Sequence, residues 1–248
     1  MKKAVFLLLI LSLPASIFAL NIPLSLGSGV RLGYTFTRYT IGGKNEHGDR
    51  LSSTQDMDRF DYGGFLFFDA KYAVVSVMLQ GGRNSYVERV YYDGNVVSAL
   101  DGAGTGSEMS LGFSLLGKFP FRINERITWF PMLGAEYHIA LIQRRQPDGD
   151  KVHDRTKGTL QTDLDKNLNS YPISAWNAWW INIGAGLDYG LTESFFLRGE
   201  FLFGIRLPTG YEMGALGFLK EQIGVRHNIK MGGLTGSPTF RISVGYRF

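Results

Sequence analysis

From residue 26 onward the chain alternates. In 26–36, LGSGVRLGYTF, Leu26, Val30, Leu32, Tyr34 and Phe36 fall on one side of an extended backbone, while Gly27, Gly29, Arg31, Gly33 and Thr35 fall on the other. Successive side chains of a strand point to opposite faces, so this stretch predicts a strand with one apolar and one small or polar face. The same alternation returns near 59–69, 72–83, 107–118, 127–142, 178–189, 195–207 and 239–248. Eight strands are therefore predicted. The links between them alternate in length: those at 70–71, 119–126 and 190–194 are short, and those at 39–58, 84–106, 143–177 and 208–237 are long.

The polar face is unusual. Arg31, Glu108, Glu136, Arg198, Glu200, Arg206, Arg241 and Arg247 share it with most of the glycines. A polar face in bulk water has no need of so much glycine. An enclosed one has room only for small residues and for charges that satisfy one another. The prediction is an all-β protein: an eight-stranded antiparallel up-and-down transmembrane β-barrel with its apolar face toward lipid. Closure leaves no unpaired edge, which a bilayer demands. Aromatics mark both rims. Tyr34, Phe36, Phe60, Tyr62, Trp179 and Phe240 are assigned to the long-link end, and Phe68, Tyr72, Phe119, Trp129, Tyr189, Phe195, Tyr246 and Phe248 to the other.

The first residues read differently. Lys2 and Lys3 precede the apolar run AVFLLLILSL, and Ala19 stands at a plausible cleavage position. This is the pattern of a secretory signal over 1–19, too short to span about 30 Å of hydrocarbon as a helix. The barrel domain is then 20–248, and the expected location is the cell outer membrane.

Composition narrows the chemistry. There is no cysteine among the 248 residues, so disulfides and thiolate metal sites are excluded. The net charge of +4 comes without a dense Lys/Arg cluster, which gives no case for nucleic acid. His47, His138, His153 and His227 form no metal motif, Asp148-Gly149-Asp150 lacks the later ligands of a calcium loop, and Gly102, Gly104 and Gly106 lack the lysine and helix of a phosphate loop. No metal and no cofactor is expected. The expected partners are outer-membrane lipids; the strongly charged 143–177 link reads first as a solvated loop and second as a binding surface for an extracellular ligand.

The last ten residues, TFRISVGYRF, place Phe240, Ile242, Val244, Tyr246 and Phe248 at alternate positions. They resemble the terminal strand of outer-membrane barrels, and the whole pattern resembles the OmpA-like and OmpW-like class of eight-stranded barrels. That resemblance implies that these five residues form the signal read by the barrel-assembly machinery, a partner during biogenesis. It also implies a choice of roles: structural stabiliser, adhesin, porin-like channel for small solutes, or lipid-modifying enzyme. His138 beside Glu136 on the inner face has the makings of a general base. The lipid A deacylases of this architecture use His-x-Ser, whereas here Ile139 and Ala140 follow His138. The ten-stranded outer-membrane proteases use paired acids with an Asp-His pair, which Glu136-x-His138 matches poorly. The first expectation is therefore a non-enzymatic surface barrel with a plugged polar interior and exposed recognition loops. A narrow or side-opening channel is the alternative.

Overall fold

The computed structural model describes residues 23–44, 47–96, 102–147, 153–155, 173–208 and 227–248. The expected signal segment 1–19 and much of the 143–177 and 208–237 links lie outside these. The described chain is almost entirely β: β1 (Leu24–Lys44), β2 (Arg50–Ala70), β3 (Ala73–Tyr92), β4 (Asn95–Val96), β5 (Gly102–Lys118), β6 (Phe121–Arg122), β7 (Ile127–Pro147), β8 (His153–Arg155), β9 (Ala178–Gly190), β10 (Phe195–Arg206) and β11 (His227–Arg247), with a 3-10 turn at Ile173–Trp176. Among the described residues no helix is long and apolar enough to cross a membrane, which leaves open crossing by strands.

The count is eleven strands where eight were expected. Eight long strands stand at the expected places. The three additional ones, β4, β6 and β8, are two or three residues long and pair on β3 and β7. The long strands also outrun their expected bounds: β1 and β2 each reach 21 residues and take in most of the 39–58 link. The cause is that backbone pairing needs no apolar side chains. Stretches such as Leu51–Ser52–Ser53–Thr54 are β-prone without being lipophilic. The 84–106 link shrinks for the same reason. β3 runs to Tyr92 and turns at Asp93-Gly94, where both residues have positive φ (47° and 85°), the geometry of a type I′ hairpin turn.

Every ladder is antiparallel. β1 pairs β2, β2 pairs β3, β3 pairs β5, β5 pairs β7, β7 pairs β9, β9 pairs β10, β10 pairs β11, and β11 returns to β1 from Ser25↔Arg247 to Lys44↔His227. The sheet thus closes on itself through eight long strands. Its two walls differ in the predicted sense. Leu26, Val30, Leu32, Leu66, Leu79, Leu133, Ile183, Phe201 and Ile242 are outward and exposed, whereas Arg31, Glu136, Arg198, Glu200 and Arg241 are inward and buried.

The interior is not polar throughout. Phe65, Phe67, Val74, Met78, Leu116, Phe130, Met132, Phe196 and Leu202 form an apolar cluster inside the closed sheet. Alternation could not reveal it in 65–68, Phe-Leu-Phe-Phe, where both faces are apolar. Three of these rings are seated by inward glycines: a Cβ on Gly27 would overlap Phe67, one on Gly186 would overlap Phe130, and one on Gly245 would overlap Phe196. This accounts for three of the inner-face glycines; at Gly29, Gly134 and Gly184 a Cβ would instead meet the backbone of the adjacent strand.

Candidate functional site

The inward charges stack in three layers, each with two cations and two anions. Nearest the short links are Lys118, Arg198, Asp69 and Asp188. Lys118 Nζ and Arg198 Nη2 both lie 2.5 Å from Asp69 Oδ2, and Arg198 donates to Asp188 through Nε (2.6 Å) and Nη2 (2.8 Å). The Arg198 guanidinium also stands 5.0 to 5.1 Å from the ring centres of Phe67, Phe130 and Phe196. The glycines that admit those rings therefore shape the seat of a buried arginine, with cation–π attraction adding to two carboxylates.

The middle layer is organised by Glu136. Its Oε1 accepts from Arg31 and from His138 Nε2 (2.6 Å), and its Oε2 accepts from Asn182 Nδ2 (2.9 Å) and Arg241 Nη2 (3.0 Å). Arg31 and Arg241 sit directly opposite each other across the β1–β11 ladder, a like-charge pair that would repel if left alone. Glu136 reaches them from β7, four strands from β1 in either direction around the closed sheet. The pair therefore spans the full width of the interior. Glu200, the fourth charge, stays at arm's length: its oxygens lie 3.9 Å from Arg198 and 3.8 Å from Arg241.

The outermost layer holds Arg59, Arg206, Asp61 and Glu108. Arg59 pairs with Asp61 (2.6 Å) and with Glu108. Thr35 donates to Asp61 (2.6 Å), and Arg206 Nη2 donates to Thr235 Oγ1 (3.3 Å). A small cavity of about 40 Å³ opens above the middle layer, bordered by Arg59, Glu108, His138, Gln143, Trp180 and Arg206. That is space for a few waters.

Of the eight inward charges expected from sequence, Arg31, Glu136, Arg198, Glu200 and Arg241 are brought together, and Glu108 joins through Arg59. Arg206 stands at the rim. Arg247 lies at the opposite end against the Phe196 ring, 4.7 Å from its centre, apart from the layers. Arg59, Asp61, Asp69, Lys118 and Asp188 complete the layers and are not among the eight expected site residues. Their parity was readable, since Arg59 and Asp69 alternate with Phe60 and Phe68, and Lys118 follows Glu108 at even spacing.

His138 has both ring nitrogens engaged. Gln80 Nε2 donates to Nδ1 (2.9 Å), which assigns the proton to Nε2 and directs it at Glu136. The same Gln80 amide donates to Ser110 Oγ (3.0 Å), so it stands between that hydroxyl and the imidazole. Among the described residues no group of three or more His, Asp or Glu is placed to hold a metal.

Phe240, Ile242, Val244, Tyr246 and Phe248 all face outward. Phe195, Tyr246 and Phe248 pack edge to face at the short-link rim, with centroids 5.1 and 5.3 Å apart. Phe240 lies opposite Leu32 and Phe201, nearer mid-height than the rim to which the sequence assigned it.

No family model matches the chain, and no curated protein matches it. Solved structures overlap it at low scores. The attachment invasion locus protein Ail of Yersinia pestis shows 14% identity over 90% of this chain and 99% of its own, with a TM-score of 0.30. Outer membrane protein OprG of Pseudomonas aeruginosa shows 13% over 92% and 96%, with a TM-score of 0.37. Neisserial surface protein A shows 12% over 89% and 97%, with a TM-score of 0.34. The ladders and faces described above, not these overlaps, carry the reading of the fold.

Proposed function

We propose that the chain is an eight-stranded barrel of the bacterial outer membrane whose lumen is plugged by side chains, and that it serves as a structural and surface-display protein. The observation that carries this reading is the Arg31–Glu136–Arg241 tie across the interior, with balanced charge layers on both sides of it. The outer wall supports membrane burial. From Leu26 to Phe36 the exposed face of β1 is apolar or small, about 33 Å of strand, or roughly 25 Å at a barrel tilt of about 40°. Above it the exposed charges begin, with Arg38 paired to Asp58 at 2.9 Å. β1, β2, β3, β5 and β7 continue beyond that level as paired strands, so the long-link end projects as a platform for loops. The residues from Phe240 to Phe248 would serve as the assembly signal, and lipid is the main partner.

Enzymatic activity has little to stand on, because neither nitrogen of His138 is directed at a hydroxyl. The test of the plug is electrical. Refolded protein in planar bilayers is expected to give no long-lived large conductance, and Glu200→Ala is expected to raise brief, small openings at most. Stable large pores in the unaltered protein would overturn the plug and establish the channel reading.

A further inference from the structure

Seven of the eight ladders between long strands join strands that follow one another along the chain, and the eighth, β1–β11, joins the two ends. That contact closes the longest loop, so it is the slowest pairing to be favoured as the sheet forms. Its inner side is almost featureless. From Gly27 to Thr37 and from Thr235 to Gly245 the inward residues are Gly, Ser or Thr, apart from Arg31 and Arg241. Thr35 donates to Ser237 (3.0 Å), and Thr37 and Thr235 share a hydrogen bond (3.0 Å). Small residues of this kind specify register weakly.

The two arginines stand out from this background. On neighbouring ladders the inward charges that face each other have opposite signs: Arg198↔Asp188 on β9–β10 and Glu200↔Arg241 on β10–β11. Across β1–β11 they are alike, and Arg31↔Arg241 is the one such pair among the described inward residues. Both side chains are buried. Glu136 is the one described acid that contacts both guanidinium groups. Arg31 otherwise reaches only neutral atoms, Met78 Sδ (2.9 Å) and Thr239 Oγ1 (3.4 Å). Glu136 arrives from β7, 105 residues along the chain from each arginine.

We infer that Glu136 gates the closure of the barrel. Until β7 stands in the sheet, Arg31 and Arg241 repel each other and keep the chain ends from pairing in the native register. Once β7 is in place, its carboxylate enters between them and turns the repulsion into an ion cluster of three. Early pairing of the ends, before the middle strands have joined, is thereby disfavoured. The device sets the order of folding, which neither the membrane reading nor the plug requires.

The experiment times the closing ladder against a hairpin during refolding from urea into nonionic detergent micelles. One protein carries cysteines at Val30 and Ile242, directly opposite across β1–β11, and another carries them at Leu66 and Val77, directly opposite across β2–β3. All four positions are exposed, and the chain has no native cysteine to interfere. Oxidant added at intervals converts each formed ladder into a cross-link. Glu136→Gln should slow the Val30–Ile242 cross-link by about tenfold or more, while the Leu66–Val77 cross-link keeps its rate. Adding Arg241→Met should bring the slowed step back to within about twofold, because the repulsion is gone even though no bond of Glu136 is restored. Salt should speed closure in Glu136→Gln, since the open ends are still solvated. Asp188→Asn, which takes a carboxylate from Arg198 within a single hairpin, should leave the timing of closure unchanged. An unslowed Val30–Ile242 cross-link in Glu136→Gln, equal slowing of both cross-links, or the same slowing with and without Arg241 overturns the gate and leaves Glu136 an ordinary packing residue.

Discussion

Replacing Glu136 with alanine is expected to lower the stability of the refolded protein by about 3–5 kcal/mol, the usual consequence of removing one partner from a buried ion cluster. The carboxylate accepts from Arg31, Arg241, His138 and Asn182. Without it, two guanidinium groups face each other across the β1–β11 ladder inside a low-dielectric space. Glu200→Ala should have a smaller effect, because its contacts with Arg198 and Arg241 are 3.9 and 3.8 Å rather than hydrogen bonds. Asp56→Ala, which breaks a half-exposed pair 3.7 Å from Arg38, should change stability by about 1 kcal/mol or less. Urea unfolding in vesicles would measure all three. Removing the charges together, as Arg31→Met, Glu136→Leu and Arg241→Met, should recover much of the loss. Equal midpoints for Glu136→Ala and Asp56→Ala would mean that the interior cluster does not hold the barrel shut.

Val30→Arg should be the most damaging single change on the outer wall. Val30 is 59% exposed and lies midway along the apolar stretch of β1, between Gly64 of β2 and Ile242 of β11. In water, arginine at such an exposed position is harmless. At the middle of a bilayer it costs about 2–4 kcal/mol. Val87→Arg provides the comparison: Val87 is also outward and 37% exposed, but it lies on the projecting part of β3, among Arg83, Ser85 and Arg89. Unfolding from vesicles should separate the two by at least 2 kcal/mol (roughly, by the same scale). A Val30→Arg protein as stable as Val87→Arg would remove lipid from the outer wall.

The sequence was legible wherever one face was apolar and the other was not. Arg31, Glu136, Arg198 and Arg241 could be assigned inward because Leu32, Tyr137, Leu197 and Phe240 could not be. Parity gives the face of a side chain but not its height or its partner across the lumen. That is why the eight inward charges carry no ranking in the sequence, whereas in the structure Glu136 on the far wall is the centre and Glu200 stands beside it. The stagger between strands decides the matter, for example Glu200↔Arg241 on one side and Glu136↔Trp180 on another. Strand ends were hidden for a different reason. Beyond the apolar belt the ladders continue with Thr, Ser and Tyr, where no apolar pattern marks the backbone pairing. The aromatic interior floor was hidden because Phe65 and Phe67 alternate with Leu66 and Phe68.

The central claim is a lipid-facing wall around a closed interior, and single-cysteine labelling tests it most directly. The chain has no native cysteine, so each introduced thiol reports alone. In vesicles exposed on both sides to a charged methanethiosulfonate, cysteines at Val30 and Ile242 should resist labelling because lipid covers them. Cysteines at Ser76 and Ser243, each 2% exposed, should resist because the lumen is filled. Cysteines at the exposed Ser85 and Thr105 on the projecting strands should react quickly, and all six should react once the protein is unfolded. Rapid labelling at Ser76 and Ser243 in the folded protein would contradict the plug, and rapid labelling at Val30 and Ile242 would contradict the membrane itself.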